Sequence, residues 1–139
     1  MFRYQRQVRF QEVDAAGLMF FPNFLVVCHE AMEDFFGELS GGYAGLIRGR
    51  GLGLPCVALE SQFIAPLRHG DTFEVELSVS KLGSRSLQLS YRFVRGAELC
   101  ATVHQTVVWT DLQRVVSAPM PDDVRELCAR HLSPVGGAD

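Results

Sequence analysis

The pattern of apolar and polar residues predicts one strand, then one long helix, then a series of strands. In a strand predicted over residues 3–10, Tyr4, Val8 and Phe10 share one face, with arginines on the other. Over residues 23–39 the apolar residues recur at helical spacing, so that only a narrow polar strip is left. A helix this apolar must be wrapped by other elements. The polar strip consists of His29, Glu30, Glu33 and Asp34.

Strands dominate the second half of the chain. Residues 57–65 are apolar enough to predict a central strand, and strict alternation predicts two more over residues 73–79 and 87–93. Residues 95–98 have the composition of a hairpin turn that leads into a strand over residues 99–111.

The remaining segments are predicted to be a loop, a short helix and a tail. The glycine-rich residues 41–53 favour a loop, and Pro121 with the two acids after it favours the start of a final helix. We expect residues 136–139 to be a disordered tail and residues 1–135 to form a single domain. The predicted class is α+β, with one long central helix wrapped by a curved antiparallel sheet and a short C-terminal helix. The edge strands of such a sheet invite pairing with a second copy.

Composition excludes several classes of protein. The chain has 139 residues, 47% of them hydrophobic, and a formal net charge of −3, which argues against binding to nucleic acid. No apolar stretch approaches the roughly 20 residues that span a bilayer, so no membrane partner is expected. The N-terminal residues lack the apolar core of a signal peptide, which predicts a cytoplasmic protein.

The cysteines and histidines show no metal-binding or disulfide pattern. The four cysteines are widely spaced with no C-x-x-C pair, and the four histidines are scattered. Neither a disulfide framework nor a metal site is therefore predicted. We expect the cysteines to behave as small buried apolar residues.

Candidate chemistry is concentrated where the predicted long helix begins. Asp14 lies in a turn of small residues, and the residues directly before Pro22 cannot cap a helix. The amides near Phe21 and Asn23 are thus predicted to be free for a ligand oxygen. Such donors contribute about 3–4 kcal/mol each when the oxygen gains charge in a transition state, and a nearby carboxylate can attack a carbonyl or activate water. Taken alone, an Asp before small residues is more often a turn former.

A longer ordered motif changes that balance. From Asp14 and Gly17 through the run Phe20-Phe21-Pro22-Asn23-Phe24, the chain resembles the 4-hydroxybenzoyl-CoA thioesterase family of hotdog proteins. Further matches are Glu30-Ala31, residues 65–71 and residues 83–86, and the resemblance covers roughly residues 8–109. It implies a hotdog fold and hydrolysis of acyl-CoA, with coenzyme A as part of the substrate and no cofactor.

The resemblance also implies roles for residues near the helix start. Asp14 would be the catalytic carboxylate, and the backbone N–H of Phe21 would polarise the thioester carbonyl. Gly17, Phe20 and Pro22 would line the substrate site, and Asn23 would either stabilise the turn or contact substrate. Phe21 and Phe24 depart from the family pattern, since relatives often carry a tyrosine or histidine at the first position and a tyrosine at the second.

Other candidate residues lie further along the chain. His29 stands where a polar side chain could recognise the acyl group, although a solvent-exposed helix face is the commoner role. Glu60, in an apolar strand, is the second candidate acid. Ser84, Arg85 and Ser86 would meet the nucleotide and phosphates of coenzyme A, because arginine forms forked bonds to phosphate.

The predicted function is hydrolysis of a small aromatic (benzoyl- or hydroxybenzoyl-like) or medium-chain acyl-CoA. The alternative is a non-catalytic acyl-CoA sensor or scaffold that uses the same groove. A hotdog dehydratase is disfavoured, because it would need a histidine paired with an acid at the helix start. Members of the family form dimers and often tetramers with each site between two subunits, so a homodimer, and beyond it a homotetramer, is expected.

Overall fold

A single long helix lies against one face of a five-stranded antiparallel sheet. The structure is a computed structural model that describes residues 1–133. The strand order in the sheet is β1-β4-β5-β6-β3, and a small second sheet has the order β2-β7-β8. The strands are β1 (Phe2–Gln7), β2 (Leu52–Gly53), β3 (Cys56–Phe63), β4 (Thr72–Leu82), β5 (Ser86–Arg95), β6 (Glu98–Val108), β7 (Thr110–Asp111) and β8 (Val116–Ser117). The helices are α1 (Pro22–Phe36), the single turn α2 (Gly42–Ala44) and α3 (Asp122–Arg130).

The core lies between α1 and the sheet. The apolar stripe of α1 is buried, while His29, Glu33 and Asp34 on its polar strip are exposed, as the periodicity predicts. The alternating residues of β4 and β5 that face the helix are fully buried. Helix α3 begins after Pro121 with two acids in its first turn and buries Val124, Leu127 and Cys128. The predicted α+β class, long central helix and short C-terminal helix are confirmed.

The first strand is shorter than predicted. Pairing of β1 with β4 ends at Gln7 opposite Thr72, and the chain then turns through a 3-10 turn over Phe10–Glu12. Phe10 is therefore not on the buried strand face but is 76% exposed. The alternation of apolar and polar residues continues beyond Gln7, but β4 has no further residues with which that segment can pair.

The prediction of a loop over residues 41–53 is also wrong in part. This segment contains α2, a π-helical turn over Gly45–Gly49, and β2. Leu46 is buried in the core and anchors the helical turns there. The left-handed backbone of Gly41, with φ of 82°, lets the chain enter them.

The strand predicted to be central lies at the edge of the sheet. Within residues 1–133 β3 pairs only with β6, and nearly all of its side chains are exposed. Val57, Leu59, Phe63 and Ile64 place apolar groups there without cover. An apolar run predicts that its side chains are buried, but it does not indicate whether the same chain or a second chain buries them.

The hairpin between β5 and β6 is confirmed, with Gly96 at the turn in a left-handed conformation. None of the helices within residues 1–133 is both long and apolar enough to cross a bilayer. The tail predicted over residues 136–139 lies outside the described residues, and the single domain over residues 1–135 stays a prediction.

Candidate active site

Asp14 lies in a tight turn that holds one of its carboxylate oxygens. Its Oδ1 accepts hydrogen bonds from the backbone N–H groups of Ala16 at 2.9 Å and Leu18 at 3.2 Å. Gly17 closes the turn with φ of 81°, a conformation that favours glycine. Within the described chain Oδ2 accepts no hydrogen bond, and the side chain is exposed. The turn therefore orients the carboxylate and leaves one oxygen free for chemistry.

The turn is held in place by the segment that precedes β4. Leu18 forms a β-bridge with Arg68, and the N–H of Met19 donates to the carbonyl of Leu67 at 2.8 Å. Met19 and Leu67 are both buried, so the far side of the turn is part of the core. These contacts hold the loop that carries Asp14 in place.

The start of α1 has one free amide rather than two. No side chain caps the helix, and Phe21 already has helical dihedrals, with φ of −55° and ψ of −36°. The N–H of Asn23 donates to the carbonyl of Phe20 at 2.9 Å, so the prediction that this amide is free is wrong. A tightened first turn satisfies it. The N–H of Phe21 donates to no acceptor within residues 1–133.

Asp14 and Phe21 border the same groove. This Asp14 groove has a volume of about 400 Å³. Phe20, Phe21 and the buried Phe24 form one wall, and the segment from Phe63 to Leu67 forms the other. Such an apolar groove with one carboxylate and one free N–H at its rim suits a substrate whose reacting carbonyl is attached to a hydrophobic group.

A partly buried charge network connects β1 with the residues before α1 and with α1 itself. The guanidinium of Arg6 forms a forked pair with the carboxylate of Glu12 and donates from Nε to Glu30 at 2.9 Å. Tyr4 donates its hydroxyl to Glu30 at 2.7 Å, and burial together with this bond raises the pKa of Tyr4 to about 12. The hydrogen bonds from Arg6 hold the pKa of Glu12 below its ordinary value.

The backbone of Glu12 connects this network to the helix start. Its carbonyl accepts the N–H of Phe20 at 2.9 Å and the side-chain amide of Asn23 at 2.9 Å. Asn23 thus uses its side chain to stabilise the turn. The network of Arg6 and Glu12 therefore fixes the position of Phe21 relative to the loop that carries Asp14.

His29 and Glu60 do not lie in the Asp14 groove. His29 is exposed on α1, with its ring edge-on to Tyr43 at a centroid distance of 5.6 Å, and lines a separate cavity one helical turn further along. Phe24 and Phe63, with ring centroids 5.2 Å apart, line the groove and not that cavity, and the two share no lining residue. Glu60 stands opposite His104 in the register of β3 and β6. It lies on the face of the sheet away from the helix, where it lines a shallow depression.

Ser84 and Arg85 lie in the turn between β4 and β5, and Ser86 is the first residue of β5, at the opposite end of the sheet from Asp14. Nη1 of Arg85 donates to the carbonyl of Ser117 at 2.8 Å, and the rest of its guanidinium has no partner among the described residues. β4 has 11 residues, and at the usual rise per residue it is about 35 Å long. Within one chain this turn and Asp14 are therefore far apart.

Sequence reasoning missed Arg6, Glu12 and Phe63 as parts of the site. The charge of Arg6 on a strand and of Glu12 just before the motif is a weak signal, because such residues are usually solvated. Within residues 1–133, no group of three or more histidine, cysteine or acidic side chains is arranged to hold a metal ion.

Comparison with known proteins relates the whole fold to thioester hydrolysis. A family model described as the thioesterase-like superfamily matches residues 8–127. The 1,4-dihydroxy-2-naphthoyl-CoA hydrolase of Thermosynechococcus vestitus is 34% identical over 123 residues, which are 86% of this chain and 82% of that protein.

Two solved structures show the same architecture. A gentisyl-coenzyme A thioesterase superposes with a TM-score of 0.79 at 31% identity, covering 88% of this chain and 98% of that one. A 1,4-dihydroxy-2-naphthoyl-CoA thioesterase from Synechocystis superposes with a TM-score of 0.82 at 29% identity, covering 92% and 95%.

Proposed function

Since the chain belongs to the thioesterase-like superfamily, we propose that it hydrolyses the CoA thioester of a hydroxylated aromatic acid. It is a thioester hydrolase of the hotdog fold. The relatives named above act on 1,4-dihydroxy-2-naphthoyl-CoA or gentisyl-CoA, and those names support an aromatic acyl group here. The ordered motif of residues 14–24 supports a place in the 4-hydroxybenzoyl-CoA thioesterase branch of the superfamily.

One observation carries the proposal: a carboxylate oxygen and a helix N–H, neither with a hydrogen-bond partner within residues 1–133, border the same apolar groove. In the proposed reaction the thioester carbonyl oxygen accepts the N–H of Phe21, so that negative charge developing on it is stabilised. Oδ2 of Asp14 either attacks the carbonyl carbon or takes a proton from a water that attacks it. In the first case the C–S bond breaks to give an acyl-aspartyl anhydride, the coenzyme A thiolate takes a proton from water, and a further water hydrolyses the anhydride to the free acid and restores Asp14. In the second case the tetrahedral intermediate breaks its C–S bond, and the thiolate takes the proton held by Asp14 as the free acid is released.

Phe20, Phe21 and Phe24 support an aromatic acyl group, because stacked or edge-on aromatic contacts add to simple burial. In this proposal Gly17 and Pro22 shape the rim of the groove, and His29 reaches the acyl group only from a second chain. A medium-chain aliphatic acyl group is the alternative substrate class, and the panel of thioesters described below separates the two.

We also propose that two copies of the chain build each site. β3 is an edge strand with exposed apolar side chains, so it can pair antiparallel with β3 of a second copy about a two-fold axis. Such pairing brings the cavity beside His29 of one copy next to the Asp14 groove of the other, because the start of β3 then lies opposite its end. The further step to a tetramer rests on the family resemblance alone.

The turn of Ser84, Arg85 and Ser86 is proposed to bind the phosphates of coenzyme A. Its distance from Asp14 in one chain means that another copy in the assembly supplies it. Ser117 holds one nitrogen of Arg85 and leaves the others directed to solvent, where a phosphate can accept them. Glu60 takes no part in the reaction in this proposal, because it lies on the other face of the sheet.

The test is release of free thiol from a panel of aromatic and aliphatic acyl-CoAs by the wild type and by Asp14→Asn. The substitution keeps the shape and one acceptor of the side chain, so the fold is retained while turnover falls at least about 10³-fold. Glu60→Gln is the matched control and should turn over at the wild-type rate.

Unchanged turnover by Asp14→Asn would remove Asp14 from the mechanism. Wild-type protein that binds acyl-CoA but releases no thiol from any member of the panel would instead be a sensor or scaffold.

A further inference from the structure

A second cavity on the helix side of the sheet is lined by Gln105, a polar residue that the proposed reaction does not use. This Gln105 cavity, of about 270 Å³, lies between α1 and the β3–β6 edge. Leu25, Met32 and Val103 give it apolar walls, and its polar residues are His29, exposed on α1, and Gln105, half-buried on the sheet. Since a cavity of about 150 Å³ is enough to bind benzene, this one can hold an arene of one or two rings.

The orientation of the Gln105 amide is set by Tyr91. Tyr91 is fully buried, and its hydroxyl lies 2.9 Å from Oε1 of Gln105. If the amide were turned round, the hydroxyl would accept a hydrogen bond from Nε2 and its own proton would be buried without an acceptor, which is unfavourable. Burial raises the pKa of Tyr91 well above its ordinary value, so the hydroxyl stays protonated and keeps donating.

The fixed orientation leaves Nε2 of Gln105 as a donor with no acceptor within residues 1–133. Nε2 is not sealed in the core, and the residue lines the cavity. A donor in an apolar cavity favours a ligand that brings an acceptor oxygen to that point. A ligand that lacks the oxygen leaves the donor unpaired.

We propose that Gln105 recognises an oxygen substituent on the aromatic ring of the acyl group, with Tyr91 as a positioning residue. The inference rests on the proposed function and on the two-copy site, because the Gln105 cavity and the Asp14 groove of the same chain share no lining residue. Pairing through β3 brings the cavity of one copy to the groove of the other. Gln105 therefore selects a hydroxylated ring over an unsubstituted one.

The experiment compares kcat/KM for dihydroxy-2-naphthoyl-CoA and for unsubstituted 2-naphthoyl-CoA. Gln105→Met removes the donor but keeps the length of the side chain. It should lower kcat/KM for the hydroxylated thioester about 10-fold and change that of the unsubstituted one less than about 2-fold. Tyr91→Phe lets the amide turn freely, so the loss should be in the same direction but about 3-fold.

Two further variants serve as controls. Gln88→Met alters a glutamine on the other face of the sheet, opposite Thr106, and should leave the ratio of the two constants unchanged. The double variant Tyr91→Phe/Gln105→Met leaves no orphaned hydroxyl, and it should show the same loss of selectivity if Gln105→Met alone does not fold.

The outcomes distinguish the two proposals. If the wild type hydrolyses either thioester and the Gln105 variants change both constants equally or neither, the role of Gln105 is wrong while the thioesterase function stands. If the wild type releases thiol from neither thioester nor from any other acyl-CoA, the proposed function fails, and the role of Gln105 fails with it.

Discussion

The backbone N–H of Phe21 can be removed without removing any hydrogen bond of the fold. Its φ of −55° lies within the range of proline, and its N–H has no acceptor in the described chain. We predict that Phe21→Pro lowers kcat about 10²–10³-fold while the protein stays folded, because one oxyanion donor is lost. The measurement is steady-state thiol release together with circular dichroism.

Phe21→Ala is the matched control for that substitution, because it removes the same aromatic ring but keeps the N–H. Its kcat should stay within about 10-fold of the wild-type value, with a larger change in KM. If Phe21→Ala and Phe21→Pro lower kcat by the same factor, the loss of the aromatic ring explains the effect and the backbone N–H does not.

At the scale of residues, the sequence predicts positions better than contacts. Asp14 and Phe21 can be predicted because a D-x-x-G turn and an uncapped, proline-started helix are local features. The bond from Asn23 to Phe20 is not predictable, since it depends on how tightly the first helical turn winds. Gln105 escapes notice because an isolated glutamine in a strand has no signal of its own.

Among the elements, β1 is joined through Arg6 both to Glu12, just before the Asp14 loop, and to Glu30 on α1. The side chains of Arg6 and Glu12 are nearly inaccessible. We predict that Arg6→Met lowers the free energy of unfolding by about 3 kcal/mol, because it leaves a buried carboxylate without its partner. Urea unfolding measures this change.

The double variant Arg6→Met/Glu12→Leu provides the control, since it removes both charges of the forked pair. It should be more stable than Arg6→Met alone. A double variant that is less stable than the single one would show that Glu12 stabilises the loop mainly through other contacts.

The same pair predicts how stability depends on pH. The pKa of Glu12 in the folded protein lies below its ordinary value of 4.5, because Arg6 and the N–H of Arg9 bond the charged form. Its contribution is therefore fully present above pH 4.5 and is lost as the pH falls through the folded value. The difference in unfolding free energy between wild type and Glu12→Gln should be constant from pH 7 to pH 5 and shrink below that. A difference that grows on acidification would contradict the assignment.

Periodicity identifies the elements themselves, but not where all of them end. The helix α1 and the alternating strands β4 and β5 follow directly from the spacing of apolar residues. The helical turns within residues 41–53 are not predicted, because the glycines indicate a loop. The residue that anchors these turns, Leu46, is buried only when the core has formed. The early end of β1 depends on the length of its partner strand, which local pattern does not contain.

For the whole molecule, the exposed edge of β3 predicts self-association. We expect Val57→Lys, which places a charge on that edge, to shift the protein toward the monomer and to lower thiol release in parallel. Analytical ultracentrifugation measures the mass. Val116→Lys, on the edge of the small sheet, is the matched control and should change neither property. A Val57→Lys protein that stays dimeric would place the interface elsewhere.

The class of the fold follows from the sequence because one very apolar helix and several alternating strands have few ways to bury their faces together. The order of the strands does not follow, and β3 shows the reason. Its apolar residues satisfy the pattern of an interior strand, yet β3 lies at the edge of the sheet and its side chains are exposed in the described chain. A single sequence does not distinguish a core from an interface.

The position of β3 has a consequence for how the enzyme responds to its own concentration. β3 is both the open edge of the sheet and a border of the Asp14 groove and the Gln105 cavity, so in the proposed two-copy site the association of two chains also completes the site. Specific activity should then fall on dilution as the population of paired copies falls, and it should recover when substrate, which binds only the paired form, is raised. In a cell, the amount of protein made would set the rate per molecule as well as the number of molecules.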